Sequence, residues 1–401
     1  MKITKLKFAG YKKFKEYNEL EIRPVTIIVG KNSSGKSSVL KLMPMLRNAL
    51  TGWYKSPILF ENEGVTSGIS FADLSHNGEM ADLCLGAEFE DGTSIYANLS
   101  SLDGDLNVSI GKYEITYCGD QYVLSYDKES KKYNSLNRKE QYSASDFYGF
   151  VHYELFKDIH ADKLLKELKF DVDYIGPFRC LPPRSIYFKG FCDMGHVGYD
   201  GGNAYNIICS SDNIESKVSS WFEDNFDETK VEVQKVKNER GTYHVVLKKK
   251  GYDQFPINIV DEGQGIGQIL PVVIRCNMMD SNSYVMIEQP ELHMHPAAHA
   301  SIAKLFATTC KANNQTYIIE THSKNLLLGV QDMVVDRSIP LGKDDVVIYY
   351  VNEDEQGVSS LKKITINEEG ELSYWPRGVF EEASAIYDDI ERKVFENKEK
   401  S

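Results

Sequence analysis

The stretch PVTIIVGKNSSGKSS, residues 24–38, decides the fold. Its first half, 24–30, is a short apolar, β-branched run, the pattern of a strand buried on both faces. Its second half, Gly30 to Ser37, matches GxxxxGK[ST] at every constrained place. SSVLKLMPMLRNAL follows and reads as a helix that kinks or ends near Pro44. Strand, glycine-rich turn and helix in that order make a phosphate cradle. The glycines let the backbone curl so that its N–H groups and the helix N-terminus converge on phosphate oxygens. Gly30, Asn32, Ser33, Ser34, Gly35, Lys36, Ser37 and Ser38 are therefore the expected nucleotide-binding residues. Lys36 reaches the β- and γ-phosphates, and the Ser37 hydroxyl ligates Mg²⁺.

Three later segments agree with the cradle. In YVMIEQPELHMHP (284–296) an apolar strand ends on Glu288, where a carboxylate that shares the metal with Ser37 is required. Gln289 follows at the place beside the attacking water, and Glu291 lies two residues on. His293 and His295 raise the alternative of a separate metal site. Their i, i+2 spacing and the flanking Pro290 and Pro296 deny them the helical geometry such a site uses. In YIIETHS (317–323) a second apolar strand ends near His322, an imidazole able to donate to a γ-phosphate. DEGQGIGQ (261–268) is a glycine-rich turn entering a helix. Gly263, Gln264 and Gly265 there suit the terminal phosphate of a nucleotide held by another subunit. Alone, a histidine at a strand end or a glycine-rich turn is commonplace; the order of all four segments carries the weight.

Around these motifs the chain divides into three. Residues 1–135 hold the cradle and a β-rich lobe, with 2–8 alternating apolar and polar and 80–135 reading as antiparallel strands. Residues 136–230 read as a mainly helical insertion, with helices over 144–169 and 213–226 around a loop at 174–203. Residues 231–401 open with a β-hairpin (231–251). Helix 264–279, strand 283–288, helix 296–313 and strand 316–320 follow, an alternation that implies parallel βαβ units. The tail at 387–401 reads as a charged helix, and no long heptad run or internal repeat is present.

Composition excludes other classes. With 42% hydrophobic residues the 401-residue chain can build a large core, and no apolar run approaches a membrane span. MKITKLKFAG has no secretory apolar core, so a cytoplasmic location is expected. The seven cysteines are odd in number and form no CxxC pair, which argues against a disulfide framework or zinc. A net charge of −13 argues against a surface generally coated with nucleic acid.

Cradle, glycine-rich signature, strand–carboxylate–Pro and strand–Thr-His-Ser is the order of ABC ATPase heads. IEQPELHMHP and IIETHS resemble the OLD-type and related RecF/SMC-like ATPases of bacteria, many of them in anti-phage defence loci. DEGQGIGQILPVV is similar to their signature segment, YIGPFRCLPPR (174–184) to a Pro-Arg loop, and GELSYWPRGVFEE (370–382) to a tail of the group. The resemblance implies an α/β ABC-type head with a mixed or parallel core sheet. It also implies ATP and Mg²⁺ as cofactors, and a homodimer or higher homo-oligomer. Departures are equally specific. Glu288-Gln289 stands where most heads have Asp-Glu, and an amide cannot take a proton from water, so hydrolysis should be slow unless Glu291 serves as base. No Q-loop glutamine follows the cradle helix; Asp73 or His76 is expected to stand in. The stretch after His322 is too short for the TOPRIM nuclease domain of OLD proteins.

The favoured function is an ATP-dependent sensor or scaffold controlling a separate effector protein, with no membrane role. A second reading is a DNA-repair ATPase, supported by Lys2, Lys5, Lys7, Lys12, Lys13, Lys15 and the hairpin lysines, whose plainer reading is solvated strand faces. A third, a small-molecule phosphotransferase, leaves the signature and Thr-His-Ser unexplained.

Overall fold

In the computed structural model the described residues are 1–78, 82–101, 108–188, 190–237, 239–252, 254–279, 283–375 and 392–393. Val25–Gly30 (β1), buried at every residue, lies inside a six-stranded sheet. The other strands are Asp171–Ile175 (β2), Ser283–Glu288 (β3), Gln315–Glu320 (β4), Val346–Glu353 (β5) and Ser359–Ile364 (β6), in the order β2-β3-β4-β1-β5-β6. The first five run parallel and β6 closes one edge antiparallel. Side chains alternate between two cores, as a two-residue period requires. Ile28, Tyr284, Met286 and Ile318 face one core, with residues of Lys36–Leu40 (α1), Leu42–Thr51 (α2) and the N-terminal lobe. Val25, Ile27, Val285, Ile287, Tyr317 and Ile319 face the other, with Gln264–Asn277 (α3), His299–Ala312 (α4) and Lys324–Val335 (α5). Cover on both faces is what makes the strands read as unbroken apolar runs.

The lobe is an eight-stranded antiparallel sheet. It runs from Gln141–Ser143 at one edge, through the strands between Leu83 and Ser135, to Ile3–Ala9 and Asn18–Glu21 at the other. The expected hairpin is present as Thr229–Lys235 and Thr242–Lys249.

Several expectations need correcting. The helix after the cradle breaks at Lys41, and Pro44 sits in the first turn of α2, where a missing N–H is tolerated. Over 144–169 there are two six-residue helices, Tyr153–Asp158 and Asp162–Glu167, in place of one long one. Residues 171–175 form β2, although Asp171 and Asp173 make the segment look like a polar loop. Asp173 is accommodated in the interior because Arg275 Nε lies 2.7 Å away and the N–H groups of Val197 and Gly198 donate to it. A second helix, Ala204–Ser210, precedes Asp212–Asn225. The predicted tail helix lies outside the described residues apart from 392–393, and the 370–382 segment is described only to 375. No described helix is long and apolar enough to cross a membrane.

Candidate functional site

β1 ends at Gly30, where an added Cβ would lie 2.9 Å from both Ser34 Oγ and the Val351 carbonyl. The chain then turns through left-handed backbone at Ser33 (φ 63°) and Gly35 (φ 102°) before α1 begins at Lys36. Asn32, Ser33, Gly35, Lys36, Ser37 and Ser38 line a cavity of about 530 Å³. Gly30 and Ser34 stand behind it; Ser34 is fully buried and its carbonyl accepts from Ser359 Oγ at 2.7 Å. Lys36 is buried, and its ammonium donates to the carbonyls of Gly30 (3.1 Å) and Lys31 (2.8 Å). Burial holds its pKa below the usual lysine value, against the pull of Glu320 and Glu288.

From outside the loop the cavity receives Gln289, Glu320, His322, Lys12 and Lys13. Glu320 ends β4. Its Oε2 accepts from Ser37 Oγ at 2.6 Å, and Oε1 lies 4.0 Å from Lys36 Nζ. Burial pushes its carboxyl up to about 7, with the Ser37 hydrogen bond opposing and the nearby Glu288 adding. Ser37 thus meets Glu320, while Glu288, expected as the carboxylate of the metal shell, lies further off. The cause is strand order: Glu288 is level with Glu320, and Glu320 is level with Ile28 of β1, so β4 stands between β3 and the cradle. Each strand adds about 4.8 Å. Glu288 is buried, does not line the cavity, and accepts the Tyr174 hydroxyl at 2.5 Å.

Gln289 does reach the cavity. It adopts φ 44°, a left-handed conformation uncommon for a residue with a side chain, and its N–H donates to the Glu320 carbonyl at 2.8 Å. Glu291, expected as a substitute base, is turned elsewhere. Its Oε1 accepts from Thr321 Oγ1 (2.7 Å) and from the His322 N–H (2.8 Å), so it secures the turn that carries His322. His322 faces the cavity, and burial followed by repulsion from Lys36 lowers its pKa, keeping the imidazole neutral at pH 7. The two candidates for the missing Q-loop also lie outside the cavity. Asp73 accepts the N–H groups of Ile69 and Ser70 at the start of the short helix Phe71–Leu74. His76 Nδ1 meets the Lys12 carbonyl at 2.6 Å and so tethers the turn bearing Lys12 and Lys13. His295 accepts the Ala297 N–H at 3.3 Å, capping a 3₁₀ turn.

Gly263, Gln264 and Gly265 begin α3 and do not touch this cavity. Space beside Gly263 is open, whereas a Cβ on Gly265 would lie 2.8 Å from the His293 carbonyl. Arg179, unremarked in the Pro-Arg loop, links the two regions. Its backbone N–H and carbonyl exchange hydrogen bonds with the Gln268 side chain of α3 (3.3 and 3.1 Å), and its guanidinium donates to the Glu288 carbonyl at 2.7 Å. Burial lowers the guanidinium to about 10. Elsewhere lysines are matched by acids: Lys5 and Lys7 with Glu88, Lys230 with Glu223, Lys248 with Glu232, Lys249 with Asp227 and Lys250 with Glu228.

The donor set fits a nucleotide with a hard divalent cation: amide N–H groups and an ammonium for phosphates, a hydroxyl beside a carboxylate for the metal. Comparison with known proteins agrees. A family model described as an AAA ATPase domain (AAA_15) matches residues 1–175 and 206–327. A second, described as a protein of unknown function (DUF3696), matches residues 341–389. No curated protein matches the chain. Among solved structures, the SMC head domain from Thermotoga maritima superposes with TM-score 0.44 at 13% identity, covering 90% of this chain and 98% of that one. An SmcHead bound to the C-winged helix domain of ScpA gives 0.47 at 12% identity, covering 92% and 99%.

Proposed function

We propose that this chain, which belongs to the AAA_15 family of AAA ATPase domains, binds ATP with Mg²⁺ in the cavity beside the phosphate loop and hydrolyses it slowly as a homodimer. The observation that supports this best is the convergence of Lys36, Ser37, Glu320, Gln289 and His322 on one cavity from three separate parts of the chain. In this reading Lys36 leaves the carbonyls of Gly30 and Lys31 for the β- and γ-phosphates. Ser37 and a carboxylate hold the cation, which when bound neutralises phosphate charge. The neutral His322 donates to the γ-phosphate. Gln289 orients the water but cannot deprotonate it, so the bound state is long-lived.

The open N-terminus of α3 around Gly263 is read as the partner's lid on this nucleotide. A long-lived closed dimer suits a sensor or scaffold that controls a separate effector, in bacterial anti-phage defence of the kind its OLD-type resemblance suggests. The DNA-repair reading is weaker, because lysines that would form its basic face are paired with carboxylates.

Calorimetric titration with ATP and Mg²⁺ tests the reading. Wild-type protein should bind one ATP per chain, and Lys36→Ala should weaken binding by roughly a hundredfold, about 2.7 kcal/mol. Equal affinity in both would refute the phosphate-loop assignment.

A further inference from the structure

We infer that Glu320, at the end of β4, is the carboxylate through which this chain holds the divalent cation of a bound nucleotide, with Glu288 kept off the cation by Tyr174. This rests on the nucleotide reading above and assigns a role within the same site. Three observations carry it.

The first is distance. Octahedral Mg²⁺ takes oxygen ligands at about 2.0–2.1 Å, which puts neighbouring ligand atoms about 2.9 Å apart. Ser37 Oγ and Glu320 Oε2 are 2.6 Å apart, so a small opening of that hydrogen bond would let both oxygens serve one cation. The second is access: Glu320 and Ser37 both line the cavity, and Glu288 does not. The third is that Glu288 already has a partner. The Tyr174 hydroxyl donates to it at 2.5 Å, and the Tyr174 ring is buried and stacked on Tyr199 (centroids 5.8 Å, interplanar angle 23°). Tyr199 is fixed in turn, since its carbonyl accepts the Gly176 N–H at 2.8 Å. The Tyr174 hydrogen bond occupies Glu288 Oε1 away from the cavity, whereas Glu320 already faces the cavity and has only its Ser37 hydrogen bond to open.

A merely structural Glu320, bracing the Ser37 side chain, would leave metal affinity unmoved when replaced by the near-isosteric amide. Mn²⁺ in place of Mg²⁺, with a non-hydrolysable ATP analogue, gives a readout independent of turnover. Electron paramagnetic resonance then reports free and bound Mn²⁺ for the full chain. Glu320→Gln should weaken Mn²⁺ binding to the nucleotide-loaded protein by roughly tenfold or more. Glu288→Gln should change it by less than about threefold, because its carboxylate is held by Tyr174 and does not line the cavity. Both variants should still bind the analogue in EDTA, which keeps metal loss distinct from loss of the nucleotide site. Mn²⁺ affinity lost in Glu288→Gln and retained in Glu320→Gln would overturn the assignment, as would equal losses in both. Wild-type protein that takes up no nucleotide, with or without Mn²⁺, would overturn the functional reading itself and this assignment with it.

Discussion

Glu320 is a carboxylate almost wholly removed from water beside a second one, Glu288, and its pKa of about 7 against an ordinary 4.5 has a consequence for stability. The fold disfavours its ionised form. Stability from this group is therefore full below about pH 4.5, falls as pH rises to about 7, and is flat above. Without metal or nucleotide, Glu320→Gln should match wild type near pH 4.5 and exceed it by about 1–3 kcal/mol at pH 8 in urea unfolding. A gap that does not change with pH would contradict the buried-charge account. Gln289 makes a kinetic prediction. Gln289 lines the cavity and Glu291 does not, so Gln289→Glu should raise steady-state ATP hydrolysis about tenfold or more. An unchanged rate would mean that another group already takes the proton. At this scale the phosphate-loop residues were legible, because a backbone curled around phosphate needs glycines, a lysine and a hydroxyl at fixed spacing. Glu320 was not. IIETHS ends a strand whichever strand lies beside β1, and only the sheet order makes that glutamate the neighbour of Ser37.

Among the elements, α3 has the most to test. Arg179 bonds to both Gln268 of α3 and the end of β3, so the helix that follows Gly263 is tied to the carboxylate strand. Gly263 has φ −59°, which alanine adopts freely, and nothing lies within 4 Å of an added Cβ. Gly263→Ala should thus leave unfolding free energy within about 0.5 kcal/mol of wild type. If a partner's nucleotide fills that space, the same change should weaken ATP-dependent self-association. Unaltered association would remove Gly263 from the interface. The βαβ alternation from α3 to β4 was legible because parallel strands buried on both faces are apolar throughout. β2 was not, since Asp171 and Asp173 interrupt its run; the buried Arg275 whose guanidinium pairs with the Asp173 carboxylate lies far away in sequence. Likewise β5 and β6 sit in a stretch that carries no motif, yet β5 flanks β1 and its Val351 carbonyl crowds Gly30.

The whole molecule is a sheet with one core on each face, an antiparallel lobe continuous with the first core, and a nucleotide cavity at the strand ends. The α3 N-terminus does not line the cradle's cavity within a single chain, and the proposed function has a second copy supply it. A net charge of −13 argues against DNA as the ligand that brings copies together, and the cavity beside the phosphate loop makes ATP the expected one. Sedimentation velocity at micromolar protein, with and without ATP and Mg²⁺, tests this most directly. ATP should shift the wild-type chain to the mass of two copies, and Lys36→Ala should stay where wild type lies without nucleotide. A wild-type chain that binds ATP and still sediments as a single copy at every concentration would contradict it.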